Sequence, residues 1–222
     1  MVRSEATLVK VCGLSTRLGV EASLSAGADA LGFIFATSRR QVTADAVAEL
    51  LAELDRGESK SVGVFVDTAP RRMLDAAVIA GIDILQLAGD ENPSILEALH
   101  LPVWKVMRFP DGTRLDDALG AIDPWFSAAS PVERVLIDGA VPGKYGGTGH
   151  RADWTLAREV AQRYPVILAG GLHPENVAEA IAEVRPTGVD TSSGVEVEGE
   201  KDADLIASFV TEARQSFSSS SR

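Results

Sequence analysis

Short runs of apolar residues alternate along this chain with longer segments whose apolar positions recur every three or four residues. The runs are LVKVC (8–12), ALGFIF (30–35), SVGVFV (61–66), ILQL (84–87), VWKVMR (103–108), RVLID (134–138), VILA (166–169) and TGVDT (187–191). Short and continuously apolar, they read as strands covered on both faces. Between them, residues 16–26, 44–54, 70–80, 93–100, 115–122, 152–163, 174–184 and 202–216 read as amphipathic helices. Thr43 before ADAVAEL, Asn92-Pro93 before SILEAL and His173-Pro174 before ENVAEAI carry the marks of helix starts. Eight strand–helix units in one chain of this length predict an α/β protein, a single (β/α)8 or TIM barrel over residues 1–216. Residues 217–222 read as a frayed tail. An open doubly wound sheet is the alternative arrangement.

Composition narrows the function classes. At 45% hydrophobic and 24% charged, the 222 residues suit a globular domain with a full core. A net charge of −11 argues against nucleic acid as a partner. It does not exclude an anionic ligand, which a local cluster of backbone donors can bind. No stretch approaches a membrane span, and the N-terminus lacks an apolar signal core. The lone cysteine, Cys12, rules out a disulfide within the chain and fits a reducing cytoplasm. The three histidines show no metal-ligand spacing, and no nucleotide motif is present, so neither metal nor cofactor is expected.

In a barrel the active site lies where the strands end and the following loops begin. Those positions are Cys12-Gly13, Ser38 to Arg40, Asp67, Gln86 with Ala88 to Glu91, Arg108, Asp138, Ala169 to Gly171 and Ser192 to Gly194. Cys12 is either a small buried core residue or a nucleophile or base. Lys10, two residues earlier, points the same way and favours the thiolate if both face the barrel mouth. Asp138 is either a solvated loop cap or a general acid raised by apolar surroundings. Three glycine-bearing turns follow consecutive strand ends: Gly146, Gly147, Thr148 and Gly149; Gly170 and Gly171; Ser192, Ser193 and Gly194. Each is a tight turn needing positive φ, or together they cradle a phosphate on backbone N–H groups. Arg40 is a surface charge or a carboxylate contact, its guanidinium fork matching two oxygens.

Taken in order, KVCGL, ADALGFIF with Ser38-x-Arg40, VGVFV, QLxGDE, DGA…YGGTGHRADW, ILAGGLHPENV and VDTSSGVEVEGEKD resemble the phosphoribosylanthranilate isomerase family along nearly the whole chain. The resemblance implies a cofactor-free barrel of tryptophan biosynthesis, a small phosphorylated substrate, and a monomer or a homodimer. It implies Cys12 as general base, Asp138 as general acid and Arg40 on the anthranilate carboxylate. Around the substrate it places Lys10, Gln86, Gly147, Thr148, Gly149, Gly170, Gly171, Asp190, Ser192, Ser193 and Gly194. Two departures stand out. Ala88 occupies a position where the family usually has His, and Arg39 one where it usually has Pro. Another phosphosugar isomerase, such as the related barrel of histidine biosynthesis, and a phosphosugar-binding barrel without turnover are the competing readings.

Overall fold

A computed structural model describes residues 7–126, 131–139 and 152–220. Eight parallel strands close into a barrel in sequence order: β1 (Leu8–Cys12), β2 (Ala30–Ile34), β3 (Lys60–Phe65), β4 (Ile84–Leu87), β5 (Val103–Phe109), β6 (Val132–Gly139), β7 (Val166–Leu168) and β8 (Gly188–Thr191). β1 pairs with both β2 and β8, which seals the barrel. The open-sheet alternative is thereby excluded. The outer layer holds α1 (Arg17–Ser25), α2 (Ala44–Leu51), α3 (Pro70–Ala80), α4 (Leu115–Ile122), α5 (Trp154–Ala161), α6 (Val177–Val184) and α7 (Ala203–Ser220). Thr16, Thr43 and Asp153 cap α1, α2 and α5 by accepting from otherwise unpaired backbone N–H groups.

Three local expectations are corrected. Residues 93–100 form no α-helix; Pro93–Ala98 is a 3-10 helix. Pro102 holds the residue before it extended, leaving little length for regular turns. Pro174 does not start α6. The helix begins at Val177, because Asn176 spends its side chain on the Gly171 carbonyl and the His173 N–H, bracing the loop after β7. The stretch expected to fray is helical as far as Ser220. Ile206, Phe209, Val210, Ala213 and Phe217 continue one apolar stripe, and Phe217 is buried. A small hairpin, β9 (Glu196–Val197) with β10 (Glu200–Lys201), follows β8 and was not foreseen.

The core has two parts. Val9, Val11, Leu31, Phe33, Val135, Ile137, Leu168 and Val189 face the helices. Cys12, Ala30, Val62, Val64, Ile84, Trp104, Val106, Leu136 and Ile167 fill the barrel lumen. Alternation along each strand fixes which residue faces which way. No helix among the described residues is long and apolar enough to cross a membrane.

Candidate active site

The same alternation sorts the chemistry. Lys10 shares a face with Cys12, Gln86 with Ile84, Arg108 with Val106, Asp138 with Leu136, and Asp190 lies on the face opposite Val189. All six are therefore lumen residues. They converge on a cavity of about 400 Å³ at the C-terminal mouth, lined by Cys12, Arg40, Gln86, Arg108, Asp138 and Asp190 together with the loops after β7 and β8. Lys10 lies just below it, fully buried.

Cys12 ends β1. Burial pushes its thiol above the ordinary value, Lys10 opposes that rise, and Asp190 adds to it. The expected help from Lys10 is present, but burial outweighs it. Lys10 itself donates to both oxygens of Asp190 at 3.0 Å. Burial works against the Lys10 charge, yet Asp190 and the thiol outweigh it and raise the ammonium above its usual range. Gly32, beside Cys12 in β2, makes room for this pair: a Cβ there would lie 2.8 Å from Cys12 Sγ and 3.1 Å from Lys10 Cε.

Asp138 is the penultimate residue of β6, three strands from β1 around the barrel. Burial raises its carboxyl, while Arg108 and the Gly139 N–H pull it back. Arg108 Nη2 stands 3.4 Å from the carboxylate, and its Nη1 donates to the Ala88 carbonyl at 2.9 Å. Ala88 thus serves the site through its backbone and leaves its side-chain position apolar.

Gly170 and Gly171 both adopt positive φ, at 88° and 65°. Gly194 packs so closely that a Cβ would overlap the Leu172 carbonyl oxygen, so the loops after β7 and β8 meet backbone to backbone. Ser192 Oγ donates to the Cys12 carbonyl at 3.0 Å, and all of Ser192, Ser193 and Gly194 line the cavity. Gly146, Gly147, Thr148 and Gly149 lie outside the described residues.

Arg40 is 7% exposed and lines the cavity, whereas the Arg39 side chain is 54% exposed. The acidic motif after β4 does not line the cavity. Glu91 accepts from the N–H groups of Asp67 and Gly89 and pairs with buried Lys105 at 2.6 Å. Asp67 in turn accepts from the Asp90 N–H. Gly89 is required there because a Cβ would collide with Asp67. Gly89 to Glu91 is therefore a brace joining β3, β4 and β5, while Gln86 and Ala88 of the same motif line the cavity. The sequence places Arg108 at the mouth without a role and gives no sign of Gly32, Glu196 or Lys201 in the site. The lumen parity of Arg108 with Trp104 and Val106 was the available signal for that residue.

A family profile described as N-(5'phosphoribosyl)anthranilate (PRA) isomerase matches residues 9–212. The chain belongs to this family. It is 42% identical over 214 residues to the N-(5'-phosphoribosyl)anthranilate isomerase of Roseiflexus castenholzii, covering 93% of this chain and 98% of that protein. It is 43% identical to that of Thiobacillus denitrificans over 215 residues, 95% and 100% of the two chains. The crystal structure of phosphoribosyl anthranilate isomerase from Thermotoga maritima superposes with a TM-score of 0.81 at 34% identity, covering 94% of this chain and 99% of that one. A phosphoribosyl anthranilate isomerase solved with reduced 1-(o-carboxyphenylamino)-1-deoxyribulose 5-phosphate superposes at 0.78 and 31% identity over 94% and 99%.

Proposed function

We propose that this family member works in tryptophan biosynthesis with Cys12 as base and Asp138 as acid. It converts N-(5-phosphoribosyl)anthranilate into 1-(2-carboxyphenylamino)-1-deoxyribulose 5-phosphate. The observation that carries the reading is the convergence of Cys12 and Asp138, from strands on different sides of the barrel, on one cavity that also meets the glycine loops. A ribose ring placed there has the acid and the base on different faces.

Asp138, whose carboxyl burial raises above its ordinary value, donates to the ring oxygen. The C1′–O bond breaks, and the anthranilate nitrogen becomes part of a cationic Schiff base. Asp138 is left as a carboxylate beside Arg108, which stabilises the charge it has acquired. Cys12 then takes the proton from C2′, whose acidity the cation has raised. The same cation adds a positive charge near the thiol, working with Lys10 to offset the burial that disfavours thiolate. The resulting enol-amine becomes the ketone as its enol proton moves to C1′, and the proton held by Cys12 returns through solvent to Asp138, so the rearrangement balances with no external oxidant, reductant or cofactor.

Gly170, Gly171, Ser192, Ser193 and Gly194 supply backbone donors for the phosphate, and Gly147, Thr148 and Gly149 are proposed as the third loop. Arg40 takes the anthranilate carboxylate. Gln86, 4% exposed, has an Oε1 without a partner among the described residues and offers it to a sugar hydroxyl. We place the enzyme in a reducing compartment, the cytoplasm, as a monomer or homodimer. Loss of anthranilate-type fluorescence when purified protein meets phosphoribosylanthranilate tests the activity, and an unchanged signal overturns it.

A further inference from the structure

Glu196 lies on the β9–β10 hairpin, away from the strand ends that carry the acid and the base. Its side chain is 4% exposed and faces three cations, Arg39, Arg40 and Lys201. Arg40 donates to it through Nε at 2.6 Å and Nη2 at 2.8 Å. Lys201 donates to it at 2.8 Å and also, at 2.8 Å, to the Ser192 carbonyl. Burial would raise the Glu196 carboxyl, but the hydrogen bonds from Arg40 and Lys201 outweigh it and hold it at about 2. Gly13 completes the seat. Its φ is 75°, and a Cβ there would stand 2.5 Å from Arg40 Cδ.

A guanidinium can take a carboxylate along its Nε/Nη2 edge or along its Nη1/Nη2 edge. Glu196 occupies the first edge. The second meets no acceptor among the described residues, and Arg40 borders the cavity. One carboxylate among three cations also leaves local positive charge for a second carboxylate to neutralise. We propose that Glu196 is a positioning residue: it grips Arg40 side-on, turns the free edge toward the cavity and so fixes where the substrate's aryl carboxylate binds. Lys201 ties that position to the Ser192 loop at the phosphate end. The proposal rests on the reading of Arg40 as the carboxylate contact.

The test is Glu196→Gln, which keeps the shape and removes the charge, assayed alone and with Arg40→Ala. The expected result is a rise in KM of about tenfold with kcat changed less than about threefold, as for loss of binding shared by ground and transition states. On the Arg40→Ala background the same change adds less than about twofold, because its target is gone. Inhibition by inorganic phosphate stays within about twofold of the parent, and a folded variant is confirmed by its thermal transition. Equal KM increments in both backgrounds, an equal loss of phosphate inhibition, or an unchanged KM in a folded Glu196→Gln protein overturns the proposal. A lower KM overturns it too, since Glu196 would then compete with substrate for Arg40. If Arg40→Ala itself leaves KM unchanged, the carboxylate reading of Arg40 has failed instead.

Discussion

The Lys10 ammonium donates to both oxygens of the Asp190 carboxylate at 3.0 Å, across the seam where β1 meets β8. The two are register partners, so the barrel's closing strands bring the charges together. Removing one member of a buried pair strands the other charge, at a cost of about 3–5 kcal/mol. Lys10→Met is expected to lower Tm by roughly 6–20 °C. Adding Asp190→Leu to it recovers much of the loss. Differential scanning calorimetry of the single and double variants decides this, and a double variant less stable than the single contradicts it.

Cys12→Ala is expected to reduce kcat by roughly 10²- to 10⁴-fold, the usual worth of a positioned base. Cys12→Ser is expected to be poor as well, since a hydroxyl holds its proton far more tightly than a thiol. Single-turnover kinetics with phosphoribosylanthranilate provide the measurement. Near-parental kcat in Cys12→Ala removes the thiol from the mechanism.

The pH profile of kcat/KM is expected to be bell-shaped, with limbs that belong to the coupled acid and base. Asp138 is raised above 3.8 and Cys12 above 9.0, so both limbs lie on the alkaline side of their ordinary values. Arg108 opposes the rise at Asp138. Arg108→Met is therefore expected to move the acid limb further up in pH and leave the alkaline limb near its parental place. An acid limb that moves down, or stays still, separates Arg108 from the acid.

Inorganic phosphate is expected to compete with substrate. Gly194→Ala is expected to weaken that competition, because the new Cβ must displace the Leu172 carbonyl and spread the two loops. Crystals soaked in phosphate give the direct check. No anion beside Gly170, Gly171 and Ser192 to Gly194 contradicts the assignment.

Arg40→Ala is expected to lower kcat/KM by roughly 10- to 150-fold, the loss of a charge-assisted bond of about 1.5–3 kcal/mol, and to do so through KM. Arg39→Ala is expected to change it little, since Arg39 is half exposed and contacts Glu196 and the Gly199 carbonyl from outside. The two variants assayed in parallel decide between neighbouring arginines. A KM effect at Arg39 alone shifts the assignment by one residue.

The strands were legible because each combines a short apolar run with a following turn signal, and parity along them places Cys12, Gln86 and Asp138 without coordinates. Arg40 could not be weighed against Arg39 from sequence, because both follow β2 and pair with Glu196, and only the burial of Arg40 against Gly13 at the cavity distinguishes them. Glu91 looked like a mouth carboxylate because it follows β4. Its partner, Lys105, faces the helix layer and the Trp125 ring, so the pair lies outside the lumen. The serines near the end of α7 suggest a tail, while Phe217 continues the buried stripe and the helix runs on to Ser220. Such errors share a cause: the deciding contact comes from residues far along the chain.

Closure of the barrel between its first and last strands has a consequence for synthesis. The thiol emerges from the ribosome early, with β1, while Lys10 waits for an acid 180 positions later. Arg214 on α7 then fastens the start of β1 and Asp29 from outside. Vectorial folding cannot seal the reactive mouth piece by piece. A nascent chain released before β8 has no barrel seam and leaves Lys10 without its carboxylate partner, so the mouth that holds Cys12 is completed only after the last strand is made.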